Sequence, residues 1–344
     1  MFDALRNEWR AVRVALSAAG LVAVACDRLP TEPVAPASYA VHGITLTSFT
    51  PTGYEGASAA NALAAIAATG ANTVVFVVTA YQSTSSSSAV REDLARTPHR
   101  TSVRVAIQTA RTLGLRVTLK PHVDADDSAW RGLFTPVDPA AWFASYQDFV
   151  ESWAALADST GCDGFIVGTE LASTIGHERE WRDTIQRVRA VFGGTLSYAA
   201  SWDEAAQVPF WDVLDLVGVD FYYPVAERSN PSRFELLAGW QPWLERLALL
   251  NRQTGRRILL SEIGYRSVDG AALRPWDFTR VAHLDLQEQA DAYGAALAAC
   301  ASRDWIEGVC WWDWRADDGG GPLDTGYTPH GKPAELELRR AWQP

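Results

Sequence analysis

The chain reads as an α/β protein folded as a closed (β/α)8 TIM barrel, on three observations. Apolar, β-branched runs of strand length occur eight times, segments with helical spacing fill most of the intervals, and polar and aromatic residues collect at the C-terminal ends of the runs. Strands alternating with helices pair in parallel through crossovers, and eight such units in about 300 residues is the count of a closed barrel. An open doubly wound sheet is the alternative, weakened because no Gly-rich phosphate loop follows the first strand.

The strand-like runs are residues 43–49, 73–79, 116–121, 164–170, 195–201, 214–222, 257–263 and 308–314. Several, such as Thr73-Val74-Val75-Phe76-Val77-Val78-Thr79, are apolar almost throughout, as expected of parallel strands covered on both faces. Helical apolar spacing marks residues 57–69, 102–113, 140–158, 178–192, 233–252 and 287–302, with 333–342 as the last helix. The fifth link, around residues 204–211, is short and has only a weak helical pattern.

Composition narrows the partners. Of 344 residues, 48% are hydrophobic and 21% charged, enough for a full core and against disorder. A formal net charge of −11 argues against nucleic acid or anionic lipid and suits a neutral substrate. Of the 15 tryptophans some are simply core, but many sit beside strand ends or loops, where flat indole faces can stack on sugar rings. Cys162, Cys300 and Cys310 match no metal motif and read as small buried hydrophobes. No metal and no cofactor is expected.

The first 26 residues read as an export signal. Arg6, Arg10 and Arg13 precede the apolar stretch 14–25, which is too short for an ordinary membrane span. Cys26 follows Ala23-Val24-Ala25 in the manner of a lipoprotein cleavage site. Residues 27–40 hold Pro30, Pro33 and Pro36 and read as a tether, leaving 41–344 as the barrel domain. The expected location is periplasmic or at the cell surface, with a possible lipid anchor at Cys26.

Two acids stand out. Glu170 closes Gly164-Phe165-Ile166-Val167-Gly168-Thr169, and Glu262 closes Ile258-Leu259-Leu260-Ser261. A carboxylate at the tip of a buried strand is expensive without a purpose. In a barrel both open on the face where active sites form, and a facing pair of carboxyls is the equipment for glycosidic bond cleavage. Lys120 and His122 share a face of the third strand and are expected to donate hydrogen bonds to sugar hydroxyls. Tyr222 and Tyr223 end the sixth strand beside Glu262. Only one can face the barrel, and Tyr222 is favoured because it shares a face with Asp220 and Gly218. Trp130, Arg131 and Trp202 are loop residues placed to line outer parts of a cleft. A Ser–His–Asp hydrolase is excluded by the lack of a Gly-x-Ser-x-Gly elbow.

The chain resembles glycoside hydrolase family 113, in the clan of (β/α)8 retaining glycosidases. The resemblance rests on Thr79-Ala80-Tyr81-Gln82, Leu119-Lys120-Pro121-His122-Val123-Asp124, Trp130-Arg131-Gly132, Gly168-Thr169-Glu170-Leu171, Val219-Asp220-Phe221-Tyr222-Tyr223-Pro224, Ser261-Glu262-Ile263-Gly264-Tyr265-Arg266-Ser267, Trp311-Trp312-Asp313-Trp314 and Gly331-Lys332-Pro333-Ala334. It spans about residues 41–340. The resemblance implies hydrolysis of β-1,4-mannosidic bonds in mannan-type polysaccharide with retention, Glu170 as acid/base and Glu262 as nucleophile. It also implies a tryptophan floor under the sugar, assigned to Trp312 with Trp311 as the competing register. Thr169 and Ser201 stand where the clan often has Asn. The rivals are a β-glycosidase of the same fold acting on glucan or from a chain end, and a surface carbohydrate-binding protein without catalysis. The binder has no use for both Glu170 and Glu262.

Overall fold

Each of the eight apolar runs forms a strand. A computed structural model describes residues 39–343, so the expected signal segment, Cys26 and most of the tether lie outside the described residues. In chain order the elements are β1 (Val41–Thr47), α1 (Gly56–Ala68), β2 (Thr73–Gln82), α2 (Arg100–Thr112), β3 (Arg116–Ala125), α3 (Pro139–Thr160), β4 (Gly164–Thr169), α4 (Glu178–Val191), β5 (Thr195–Ser201), β6 (Leu216–Phe221), α5 (Arg233–Thr254), β7 (Ile258–Ile263), α6 (Leu286–Cys300), β8 (Ile306–Arg315) and α7 (Pro333–Trp342). The strands pair in parallel in sequence order, and β8 closes on β1. Between β5 and β6 there is only a single 3-10 turn, Trp211–Val213, which accounts for the weak helical pattern there.

Local chemistry sets the helix ends. Asp138 caps α3 through Ala141 N–H, and Gly161 ends it in the left-handed region at φ 69°, open to glycine at little cost. Ser232 and Glu235 form a reciprocal capping box on α5. Asp285 accepts from Gln287 and Glu288 at the start of α6.

The apolar residues divide between two cores. The larger lies between barrel and helices and includes Ile44, Phe76, Leu119, Val167, Leu260 and Trp311. The smaller plugs the barrel interior with Val75, Leu259 and Cys310, flanked by Val41 and Leu216. Cys162, Cys300 and Cys310 are buried and unpaired, as expected. None of the described helices is long and apolar enough to cross a membrane.

Strand alternation alone does not deliver the two glutamates. Against β6, Val219 pairs with Leu260 and Asp220 with Glu262, so β7 carries one extra residue at Ser261. Against β5, Ile166 pairs with Ser197 and Thr169 with Ala199, so β4 also carries one extra residue. β8 does the same against β1 between Trp311 and Trp314. Such bulges re-aim side chains at barrel rims, and all three fall at or just before the residues that reach into the cleft.

Candidate active site

A charged layer lies above the apolar plug. Lys120 on β3 is completely buried and directs its ammonium to Asp220 Oδ1 and Oδ2 at 3.1 and 3.2 Å, to Glu262 Oε1 at 2.6 Å and to the Ser261 carbonyl at 3.4 Å. Ser261 shares the inward face of β7 with Leu259, and its hydroxyl donates to Asp220 Oδ1 at 2.7 Å; the β7 bulge brings Glu262 inward beside it. Burial alone would lower the Lys120 pKa, but Asp220 and Glu262 together hold it above the ordinary value. Burial, followed by the charge of Glu262, pushes the Asp220 carboxyl well above the carboxylate range. Lys120 therefore departs from its expected role. With no exposed surface and its donors directed at Asp220, Glu262 and Ser261, it holds the site together and does not reach sugar hydroxyls.

Glu262 receives a second donor from β6, because Tyr222 places its hydroxyl 2.8 Å from Oε2. Tyr223 points the other way, donating to the Trp202 carbonyl at 2.6 Å and stacking on Trp243 with centroids 4.0 Å apart. Of the two tyrosines, the inward one is Tyr222.

Glu170 follows β4 directly and sits at φ 51°, a left-handed conformation that a non-glycine residue adopts at a cost. Its Oε2 accepts from the Trp130 indole N–H at 3.1 Å. Burial, then the charge of Glu262, raises its pKa, while Arg131 opposes the shift. Desolvation by the surrounding walls is the larger of the two causes.

His122 lies above Lys120 on the same face of β3. Arg131 donates to its Nδ1 at 2.8 Å and to Asp124 Oδ1 at 2.6 Å. A guanidinium only donates, so the imidazole proton is assigned to Nε2, which lies 3.6 Å from Glu262 Oε1 and has no hydrogen-bond partner among the described residues. Burial, then Arg131 and Lys120, pushes the His122 pKa well below its ordinary value. The ring is neutral, its approach to Glu262 is not an ion pair, and Nε2–H is a free donor at the nucleophile's side.

Trp312 lies parallel to the His122 ring, centroids 5.8 Å apart and 11° between planes, and is partly exposed. Trp311 is fully buried and stacks on Tyr293 of α6 at 3.8 Å. The cleft therefore takes Trp312. Further out, Trp202 lies 5.9 Å from Trp276, which is 44% exposed.

Several residues at the site carried no distinct signal in the sequence. Asp220 was visible only as a strand-end polar residue, and Ser261, on the inward face with Leu259, had nothing to distinguish it from an ordinary strand residue. Asp313 accepts from Thr47 at 2.8 Å, and burial raises its carboxyl to about 6. Tyr327 comes from the loop after β8 and sits 6.3 Å from the Tyr222 ring. It fits because residue 264 is glycine: a Cβ there would lie 2.5 Å from the Trp312 carbonyl oxygen and 3.0 Å from the Tyr327 ring.

Away from the cleft, Asp269, Asp285 and Glu288 lie close enough to suggest a cation site. Glu288 and Asp285 already serve backbone donors, Glu288 from Asn230, Gly270 and Ala272 and Asp285 from Gln287 and Glu288. They act as loop and helix caps.

Residues 44–332 match the model of Glycoside Hydrolase Family 113. A GH113 β-1,4-mannanase complex superposes with TM-score 0.82 at 27% identity, covering 89% of this chain and 99% of the other. The GH113 β-mannanase AaManA from Alicyclobacillus acidocaldarius, bound to ManMIm, gives TM-score 0.82 at 27% identity, covering 88% and 97%. A GH5_18 protein from Streptomyces cattleya in complex with Manβ1-4GlcNAc shares the fold at TM-score 0.55 and 15% identity, covering 87% and 80%. No curated protein sequence matches the chain.

Proposed function

The chain belongs to glycoside hydrolase family 113 and is a glycoside hydrolase; from that premise we propose that it is an endo-β-1,4-mannanase acting on mannan-type polysaccharide with retention, Glu262 as nucleophile and Glu170 as acid/base. The likeness to β-1,4-mannanases over nearly their whole length supports the substrate. The observation that carries the roles is the asymmetry between the two acids. Glu262 has two strong donors, Lys120 and Tyr222, which balance and aim its carboxylate. Glu170 has one indole donor and a raised pKa, which suits a group that must arrive protonated.

In the first step a Glu262 oxygen attacks the anomeric carbon while the glycosidic bond breaks. The leaving oxygen takes the proton of Glu170, and a glycosyl ester of Glu262 remains. In the second step Glu170, now a carboxylate, removes a proton from water. The water oxygen attacks the anomeric carbon, and Glu262 departs as a carboxylate. In this reading His122 Nε2–H binds a hydroxyl of the sugar being attacked, Trp312 lies under its ring, and Trp130, Arg131 and Trp202 line outer subsites.

The test follows the anomeric proton signals while manno-oligosaccharides are cleaved. Initial release of the β-anomer is expected; the α-anomer would mean inversion. Turnover confined to cello-oligosaccharides would move the substrate to glucan, and release of mannose alone would replace endo with exo action.

We also propose export and lipidation at Cys26, supported by the basic, apolar and Ala-Val-Ala-Cys pattern. Incorporation of a labelled fatty acid that is lost in Cys26→Ser is expected. Labelling that persists in the variant would exclude Cys26.

A further inference from the structure

The backbone that carries Glu170 is held from behind by β5. Glu170 N–H donates to the Ala199 carbonyl at 2.8 Å. The next amide, Leu171 N–H, donates to the Tyr198 phenol oxygen at 2.9 Å. Tyr198 in turn donates to Glu204 Oε1 at 2.7 Å. The chain of contacts thus runs from the loop after β5, through a tyrosine outside the barrel wall, to the amide beside the strained residue.

Neither side chain is there by default. Tyr198 is fully buried and wedged edge-on between Trp181 and Phe210, with centroids 5.3 and 5.5 Å away. It reaches Leu171 by passing close over Gly168, where a Cβ would lie 2.9 Å from its ring. Glu204 is 3% exposed, and its Oε2 is buried with no partner among the described residues. An acid in such a place costs stability that a neutral side chain would not. The groups around it are Tyr198 on β5, Asp203 in its own loop and Glu170 at the end of β4. Burial, aided by the charges of Glu170 and Asp203, raises its carboxyl to about 8. Most of it is therefore protonated near neutrality, and it does not add a full second charge behind Glu170.

We propose that Glu204 is a positioning residue for the acid/base: through Tyr198 it fixes the Leu171 amide, and so the left-handed backbone that points the Glu170 carboxyl at the glycosidic oxygen. The proposal rests on the reading of Glu170 as acid/base and deepens it. A φ of 51° is not a resting state for glutamate, so losing one of the two amide anchors frees the residue to relax towards ordinary extended backbone.

The test compares kcat/KM for an unactivated manno-oligosaccharide with kcat/KM for a 2,4-dinitrophenyl β-mannobioside. The dinitrophenolate leaves without protonation, so only the first substrate needs the acid. The ratio of the two, taken on one enzyme sample, does not depend on the folded fraction. Glu170→Ala is expected to lower the oligosaccharide value by about 100-fold or more while sparing the aryl glycoside. Tyr198→Phe and Glu204→Leu should move the ratio the same way by about tenfold, and Glu204→Gln, which keeps an acceptor for Tyr198, should return it to within about threefold of the parent. If Tyr198→Phe and Glu204→Leu lower both substrates equally, the pair is merely structural and the proposal falls. If Glu170→Ala itself leaves the ratio unchanged, the acid/base assignment fails, and the proposal with it.

Discussion

The ammonium of Lys120 lies 2.6 Å from Oε1 of Glu262, inside a barrel layer from which it has no exposure to solvent. The same nitrogen holds Asp220 at 3.1 Å, so one cation serves two buried carboxyls. Lys120→Met removes that cation without filling its hydrogen bonds. Breaking a buried pair in this way costs about 3–5 kcal/mol, far more than the net worth of an intact one. The expected result is a clear fall in Tm together with loss of mannan hydrolysis by about 100-fold or more, since the donor also steadies the attacking oxygen. A variant with unchanged Tm would show that the ammonium and the two carboxyls are not coupled as described.

Tyr222 and Tyr223 are adjacent in sequence but serve different ends. Tyr222→Phe removes a hydrogen bond of 2.8 Å to Glu262 and leaves the ring packing in place. A hydrogen bond to a charged group contributes about 1.5–3 kcal/mol, so kcat/KM should fall by roughly 10- to 100-fold, with less effect on Tm. Tyr223→Phe removes only a bond to the Trp202 carbonyl. Its effect should fall on KM for longer oligosaccharides, through the placement of Trp202. Steady-state kinetics on chains of increasing length separate the two. Equal losses in both variants would contradict this division.

Much of this site was legible before any coordinates. The eight strand-like runs, the weak fifth link and the acids at two strand ends follow from periodicity and from the cost of burying charge. Glu170, Glu262, His122, Tyr222 and Trp312 all converge on one cleft. Lys120 was misread because residue type and strand face say that a side chain points inward, not how deep it lies. At its depth the partners are Asp220, Glu262 and the Ser261 carbonyl, and Glu262, two residues after the outward Leu260, turns inward only through the bulge in β7. A one-residue bulge leaves no mark in apolar periodicity, which is also why Trp311 and Trp312 stayed alternatives. Tyr327 and Glu204 come from loops, where pattern carries no distance information.

The raised pKa of Glu170 has a kinetic consequence. Glycosylation needs its proton, so kcat/KM on unactivated oligosaccharides should fall as pH rises through that pKa, which lies above that of an ordinary glutamate. The sign for stability is the same. A carboxyl whose folded pKa is raised favours the folded state below its unfolded value and loses that contribution as pH rises through the folded one. The kinetic limb can be assigned by leaving group: with a 2,4-dinitrophenyl glycoside the alkaline limb should weaken or vanish, because no acid is needed. An identical limb for both substrates would mean that another group sets it.

Lys332 ties down the loop that carries Tyr327. Its side chain is fully buried and donates to Asp324 Oδ1 at 2.7 Å, to the Ser267 hydroxyl at 2.9 Å and to the Gly326 carbonyl at 3.2 Å. Burial lowers its pKa, and Asp324 partly offsets the effect. These contacts fasten the loop after β8 to the segment after β7, and that loop carries Tyr327, whose hydroxyl reaches the Pro275 carbonyl at 2.7 Å. Lys332→Met keeps the length and apolar stem of the side chain but releases three acceptors at once. Asp324 has an exposed edge and can turn to water, so the stability cost should be moderate, about 1–3 kcal/mol. The main effect should be local. Limited proteolysis should cut residues 316–331 in the variant under conditions that spare the parent, and KM should rise as the wall beside Tyr222 loosens. Unchanged cleavage and unchanged KM would show that Gln289, which donates to the Tyr265 and Tyr327 carbonyls at 2.9 and 3.0 Å, holds the loop without help from Lys332.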